Sequence, residues 1–256
     1  MAYYARVVHH GVEKYAAVMG ERIQFLSGSF FDPAVVPTGE EVPSTDVQWL
    51  APVRPRTVLA VGRNYREHAK ELGNAVPDAP LLFLKQPGTI TGHGADILYP
   101  SGFGRIDYEG ELVIVIGQAV NWQTPKEAIA GAIFGYTIGN DVTARELQKQ
   151  DGQWTRAKGF DTFGPLGPVV ATAYDYRPFR IETRVNGEIR QQGAFSDMIF
   201  DPESIVFYAS RFMTLQPGDV IFSGTPEGVG PVQPGDLVEI TIQGIGKLSN
   251  RVKTRE

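Results

Sequence analysis

The stretch Asp107-Tyr108-Glu109-Gly110-Glu111-Leu112-Val113-Ile114-Val115-Ile116-Gly117 constrains this chain more than any other. It reads as one β-strand that opens with carboxylates and continues as unbroken apolar sequence. Side chains alternate along a strand, so Glu109, Glu111, Val113 and Val115 share one face, and Leu112, Ile114 and Ile116 the other. Apolar residues on both faces require a sheet covered on both sides. Two like charges at the rim of such a strand repel each other and are poorly solvated. Three resolutions are open: both face water, one keeps a proton, or a cation sits between them.

The rest of the 256 residues supplies more strands than helices. Residues 1–50 read as a small separate N-terminal β unit, with strands over 3–8, 15–19 and 22–26 broken by Gly11 and Gly20. The polar, proline-containing run from Asp32 to Ser44 reads as a linker. Residues 51–256 form the main domain. Its strands alternate with short helices over 66–72, 125–132, 142–149 and 204–212, the first ending at Gly73. Asn186-Gly187 is a hairpin signal, and Gln-Pro-Gly-Asp occurs twice, at 216–219 and 233–236, each time ahead of a strand. The fold class is therefore mainly β with short helices, of the α+β type.

Composition removes several chemistries. There is no cysteine, which excludes disulfides, thiolate catalysis and sulfur-ligated metals. The four histidines, at 9, 10, 68 and 93, are too scattered for a dedicated zinc cluster. Net charge is −5 with no long basic run, so neither nucleic acid nor an anionic membrane is an expected partner. No apolar run reaches membrane-spanning length and residues 1–11 lack the pattern of a signal peptide, so a cytoplasmic location is expected.

Polar residues that could carry chemistry cluster in a few places. Asp141 follows an apolar strand at 133–139 and precedes a helix. It either caps that helix, in competition with a Thr143-x-x-Glu146 capping box, or joins Glu109 and Glu111 as a third carboxylate. Three carboxylates form an all-oxygen ligand set that suits Mg²⁺, Mn²⁺ or Ca²⁺. His68 and Glu71 are three apart, hence on one helical face, where a carboxylate can fix an imidazole tautomer for general-base work. Lys158 lies in the aromatic and basic stretch 153–165, either on the surface or placed to neutralise an anion. Lys85 ends an apolar strand and points into a site or into water. The glycine-rich segment 223–230 offers backbone N–H groups and the Thr225 hydroxyl, without the pattern of a phosphate loop, a dinucleotide loop or a nucleophile elbow.

Taken in order, these pieces resemble the fumarylacetoacetate hydrolase family. The matching segments are Val61-Gly62-Arg63-Asn64-Tyr65 with His68 and Glu71, Asp107 to Leu112, Gly139 to Arg145, Trp154 to Lys158, and Gly218 to Ile221 with Ser223 to Pro226. They span roughly residues 52–252, and five in order are far more specific than any one alone. The resemblance implies a mixed β-roll fold with the small N-terminal β unit, and commonly a homodimer. It implies Glu109, Glu111 and Asp141 as ligands to Mg²⁺ or Mn²⁺, and Lys158 as the cation stabilising an enolate or oxyanion. His68 and Glu71 become the catalytic dyad on a lid over the substrate. Arg145, Gln148 and Thr225 become the groups holding the carboxylate and keto oxygens of a small 2-oxo acid. The activity it implies is that of a metal-dependent enzyme on 2-oxo or 2-hydroxy-dienoic acids of aromatic catabolism. The leading expectation is a 2-hydroxyhepta-2,4-diene-1,7-dioate isomerase/decarboxylase. Acylpyruvate (fumarylpyruvate-type) hydrolysis and oxaloacetate decarboxylation are the alternatives. A non-catalytic metal- or ligand-binding protein is the alternative of another class.

Overall fold

The structure is a computed structural model that describes residues 1–71 and 75–255, save the side chains of 69 and 70. Among the described residues the strands form sheets of twelve, five and three. The spine of the large sheet runs, in spatial order, through Ala2–His9, Gly164–Thr172, Ile133–Asn140, Gly110–Ile116, Val220–Phe222, Val58–Gly62 and Leu81–Lys85. Neighbours on this spine are antiparallel except Val220–Phe222 beside Val58–Gly62, which is parallel. The five-stranded sheet contains Arg180–Val185, Leu237–Ile242 and Gly246–Thr254. Fold class is as the sequence implies: mostly strand, with few short helices. No helix among the described residues is long and apolar enough to cross a membrane.

The central strand Gly110–Ile116 is buried along its whole length. Its two faces enter two different cores. Leu112, Ile114 and Ile116 pack in one cluster with Ile181, Ile240 and Ile242 of the five-stranded sheet. Val113 and Val115 pack in the other with Val58, Phe222, Leu166 and Val170. A register slip of one residue would exchange these faces and drive Glu111 into the first core, so packing fixes where the carboxylates stand.

The expected single strand over 107–117 is in fact two. Ile106–Tyr108 belongs to the three-stranded sheet, paired with Thr143–Ala144 and Gly230–Pro231. Gly110–Ile116 belongs to the large sheet, paired with Ile133–Asn140. Glu109 sits at the crossing, and there side chains take over from the ladder. The Glu109 N–H donates to Asn140 Oδ1 at 2.9 Å and the Gly110 N–H to Gln191 Oε1 at 3.0 Å. The Asp141 N–H donates to the Glu109 carbonyl at 2.9 Å, which sets Asp141 beside the glutamates.

The first fifty residues extend the large sheet instead of forming a sheet of their own. Tyr3 pairs with Ala171 and Tyr4 with Val170. Part of the expected linker is also strand: Pro37–Pro43 pairs with Arg22–Leu26 at the far edge. Its near-complete exposure explains the polar sequence that reads as linker. Two of the helices are shorter than the sequence suggests, while the one expected at 204–212 keeps its length two residues earlier, as Pro202–Ser210. Residues 126–128 make a 3-10 turn before Ile129–Ala132, and the helix after Asp141 is Arg145–Asp151. Asn186 and Gly187 both have positive φ, 51° and 82°, as a two-residue hairpin turn demands. The helix at residues 66–71 is present as Arg66–Glu71, and its expected end at Leu72 and Gly73 lies outside the described residues.

Candidate active site and metal centre

A cavity of about 260 Å³ opens where the two sheets part around Glu109. Glu109, Glu111 and Asp141 line it together, and one carboxylate oxygen from each lies within 4.8 Å of the others. All three are buried, with no more than 4% of their surface exposed. His68, Arg145, Gln148, Lys158 and Thr225 line the same cavity. Glu71 stands behind His68, its Oε2 3.2 Å from His68 Nδ1. The structure therefore brings all nine sequence-derived candidates to one place.

The carboxylates are held by cations. Lys158 Nζ donates to Glu109 Oε2 at 2.8 Å and to Asp141 Oδ2 at 2.5 Å. Lys85 Nζ donates to Asp141 Oδ1 at 2.7 Å and to the Lys158 carbonyl at 2.6 Å. The Arg145 guanidinium reaches Glu109 Oε1, Asp107 Oδ2 and Gln148 Oε1, at 2.5, 2.7 and 3.0 Å. Glu111 differs: Oε2 accepts from the Gly224 N–H at 2.7 Å, while Oε1 has no hydrogen-bond partner among the described residues.

Electrostatics follow from these contacts. Burial alone would raise the Glu109 carboxyl, but Lys158 and then Arg145 outweigh it and hold the group well below the usual carboxylate range. Burial, and then the charges of Asp141 and Glu109, push the Glu111 carboxyl well above that range. Lys158 loses from burial yet gains more from Asp141 and Glu109, so its ammonium is stabilised. The cluster thus has one carboxyl in need of a positive partner, beside two already paired with cations.

A small hard divalent cation fits this donor set. All ligand atoms are oxygens, the spacing suits one ion, and the unpartnered Glu111 oxygen belongs to a buried group. Each carboxylate oxygen has two lone pairs, so Glu109 and Asp141 can ligate an ion while still accepting from the lysines and Arg145.

Several neighbours that position the site escape a sequence reading. Asp107 is fully buried between Arg105 and Arg145, and so aims Arg145 at Glu109. Lys85, left open between site and solvent, is buried on Asp141. The position of Lys85 at the end of an apolar strand is a weak signal, and a buried carboxylate such as Asp107 implies a cationic partner. Nothing local marks Gln191, whose amide bridges Gly110 to Thr225 and Pro226 across the sheets. The capping box does not form: Glu146 accepts from the Arg105 N–H instead, and the Thr143 hydroxyl donates to the Asp141 carbonyl. The Thr225 hydroxyl proton is given to the Gly110 carbonyl, so in this arrangement that hydroxyl offers a ligand no donor. The Gly228 N–H donates to Glu71 at 3.2 Å, tying the Arg66–Glu71 helix to the glycine-rich segment.

Comparison with known proteins matches residues 57–253 to a model described as fumarylacetoacetate (FAA) hydrolase C-terminal, and residues 4–52 to one described as Rv2993c-like, N-terminal. A 5-carboxymethyl-2-hydroxymuconate delta-isomerase structure from Mycobacterium smegmatis is 40% identical, with a TM-score of 0.92 over all of both chains. A 2-hydroxyhepta-2,4-diene-1,7-dioate isomerase structure from Mycobacterium marinum is 39% identical, also at 0.92, over 100% of this chain and 99% of that one. The oxaloacetate tautomerase YisK of Bacillus subtilis is 42% identical over 81% of this chain and 74% of its own length. With the family model covering most of its length, the chain belongs to the fumarylacetoacetate hydrolase family.

Proposed function

We propose that the protein is a divalent-metal-dependent enzyme that moves a proton on enolisable 2-oxo acids, as an isomerase or tautomerase of 2-oxo and 2-hydroxy-dienoic acids. The observation that carries this reading is one cavity lined by three clustered carboxylates, a buried lysine and a histidine backed by a carboxylate. Mg²⁺ or Mn²⁺ held by Glu109, Glu111 and Asp141 would supply Lewis-acid polarisation of the substrate's keto oxygen. Lys158, kept cationic by its two carboxylates, adds positive charge where an enolate oxygen develops. Arg145 and Gln148 orient the carboxylate end of the acid. His68, which lines the cavity, carries the proton: Glu71 on Nδ1 favours the tautomer that leaves Nε2 unprotonated as the base. The named relatives that shift double bonds or tautomers on such acids support this choice. The same dyad could activate water, and hydrolysis of an acylpyruvate is the second reading.

The test is a turnover screen with Mg²⁺ against oxaloacetate enol, 2-hydroxyhepta-2,4-diene-1,7-dioate and acetylpyruvate. Proton transfer on one of the first two, stopped by EDTA and restored by Mg²⁺, is the expected result. Turnover of acetylpyruvate alone would move the assignment to the hydrolase reading, and activity indifferent to EDTA would remove the metal from it.

A further inference from the structure

Four cationic side chains, Arg63, Arg145, Lys149 and Lys158, line the cavity, and two of them are ion-paired within the protein. Arg145 and Lys158 are each paired with carboxylates of the cluster and its neighbour, Arg145 with Glu109 and Asp107 and Lys158 with Glu109 and Asp141. Arg63 and Lys149 make no hydrogen bond or ion pair among the described residues. Arg63 is half-buried and Lys149 exposed, whereas the carboxylate end of the cavity is closed off. The two free cations are therefore the more solvent-accessible part of its lining, and the carboxylates the more buried part.

The backbone at Arg63 gives this meaning. Its φ is 59°, the left-handed region that glycine, asparagine and aspartate enter far more easily than arginine. The turn is clamped from both sides. At Gly62 a Cβ would lie 2.6 Å from the ring of Trp154. The Asn64 side chain donates to the carbonyls of Phe200 and Ser223 and accepts from the Phe200 N–H. A strained residue held by its surroundings, with a charged head that satisfies nothing inside the protein, is a mark of a ligand contact.

We propose that Arg63, with Lys149 as a second cation, binds a second carboxylate of the substrate, so that the enzyme prefers 2-oxo dicarboxylic acids to those with a neutral tail. The inference rests on the enolate reading above, which places the 2-oxo acid end at the carboxylate cluster. The guanidinium then meets the far end of the acid and can hold it in a two-pronged, charge-assisted contact.

Calorimetry with Mg²⁺ and three unreactive probes separates the two ideas. Oxalate tests the metal end alone, while 2-oxoglutarate and 2-oxopentanoate differ only in a distal carboxylate against a methyl group. The wild type is expected to bind 2-oxoglutarate at least about tenfold more tightly than 2-oxopentanoate, the worth of one charged hydrogen-bonding contact. Arg63→Gln should erase that preference and leave oxalate affinity unchanged, and Arg63→Lys should keep part of it. Arg63→Gly is the folding control: it relieves the strained φ, so it should melt no lower than wild type while losing the same preference. Equal affinities in the wild type, or a preference that survives Arg63→Gln, would overturn the proposal. Failure of oxalate to bind the wild type would overturn the enolate reading, and this inference with it.

Discussion

At the residue scale the site is a charge balance with one member out of place. Asp107, Glu109 and Asp141 each have buried or half-buried cationic partners, while Glu111 has one backbone N–H and two negative neighbours. A buried carboxylate so placed costs stability and is retained for what it binds. Glu111→Gln should therefore act in opposite directions on two measurements. The amide oxygen keeps the Gly224 contact and removes the like-charge repulsion, so urea unfolding in EDTA should show equal or higher stability, by up to about 1 kcal/mol. Mg²⁺ binding by calorimetry should be lost. A variant that is less stable and still binds Mg²⁺ would return Glu111 to an ordinary structural role. The Glu109–Glu111 pair was legible as a question because carboxylates on an apolar strand demand an explanation, while the ligand role of the pair together with Asp141, which only follows a strand, came with the family resemblance. Lys85 and Gln191 were much less so, because their partners lie 56 and 81 residues away.

At the scale of elements, the site exists because one chain segment changes sheets. The break at Glu109 needs Gly110 behind it, where the five-stranded sheet comes so close that a Cβ would lie 2.3 Å from Thr183 Oγ1 and 3.3 Å from Gln191 Oε1. Gly110→Ala must push the Arg180–Val185 strand away, an overpacking cost of about 1–3 kcal/mol. It also strains the Gln191 bridge that orders Thr225. Lower unfolding stability together with weaker Mg²⁺ binding is expected, and an alanine variant matching wild type in both would show that the close approach does not matter. A period-two pattern gives strand and faces but not the point where pairing partners change, which is why residues 107–117 read as one strand. Local turn chemistry is a different matter. Both Gln-Pro-Gly-Asp turns close in the same way, with Asp219 Oδ2 accepting from the Gln216 N–H and Asp236 Oδ2 from the Gln233 N–H. Such turns are legible because the contact that closes each lies within three residues, although Asp219 also accepts from the distant Arg56 and Thr57 N–H groups.

At the scale of the molecule, the first fifty residues bear on the site more directly than their sequence suggests. They carry no site residue, yet Phe30 packs in the same core as Val113 and Val115, the face that continues from Glu109 and Glu111. Phe30 also stacks on Phe134 with ring centroids 5.4 Å apart, and Arg6 donates to the Ala51 carbonyl at 2.8 Å. Removing residues 1–50 would strip the Gly164–Thr172 strand of its Ala2–His9 neighbour and bare Phe134, Val170 and Leu166. Each large apolar side chain returned to water costs roughly 1.5–3 kcal/mol, so a few of them rival the roughly 5–15 kcal/mol that holds a typical domain together. The 51–256 fragment should therefore lack a cooperative thermal transition and bind a hydrophobic dye, and the full chain should unfold in a single calorimetric step. A fragment that melts cooperatively and still takes up Mg²⁺ would mean that the N-terminal strands are an independent unit after all. The sequence favours that second picture because a meander closes its own hydrogen bonds locally; the pairing of Tyr4 with Val170 is invisible until both strands are in place.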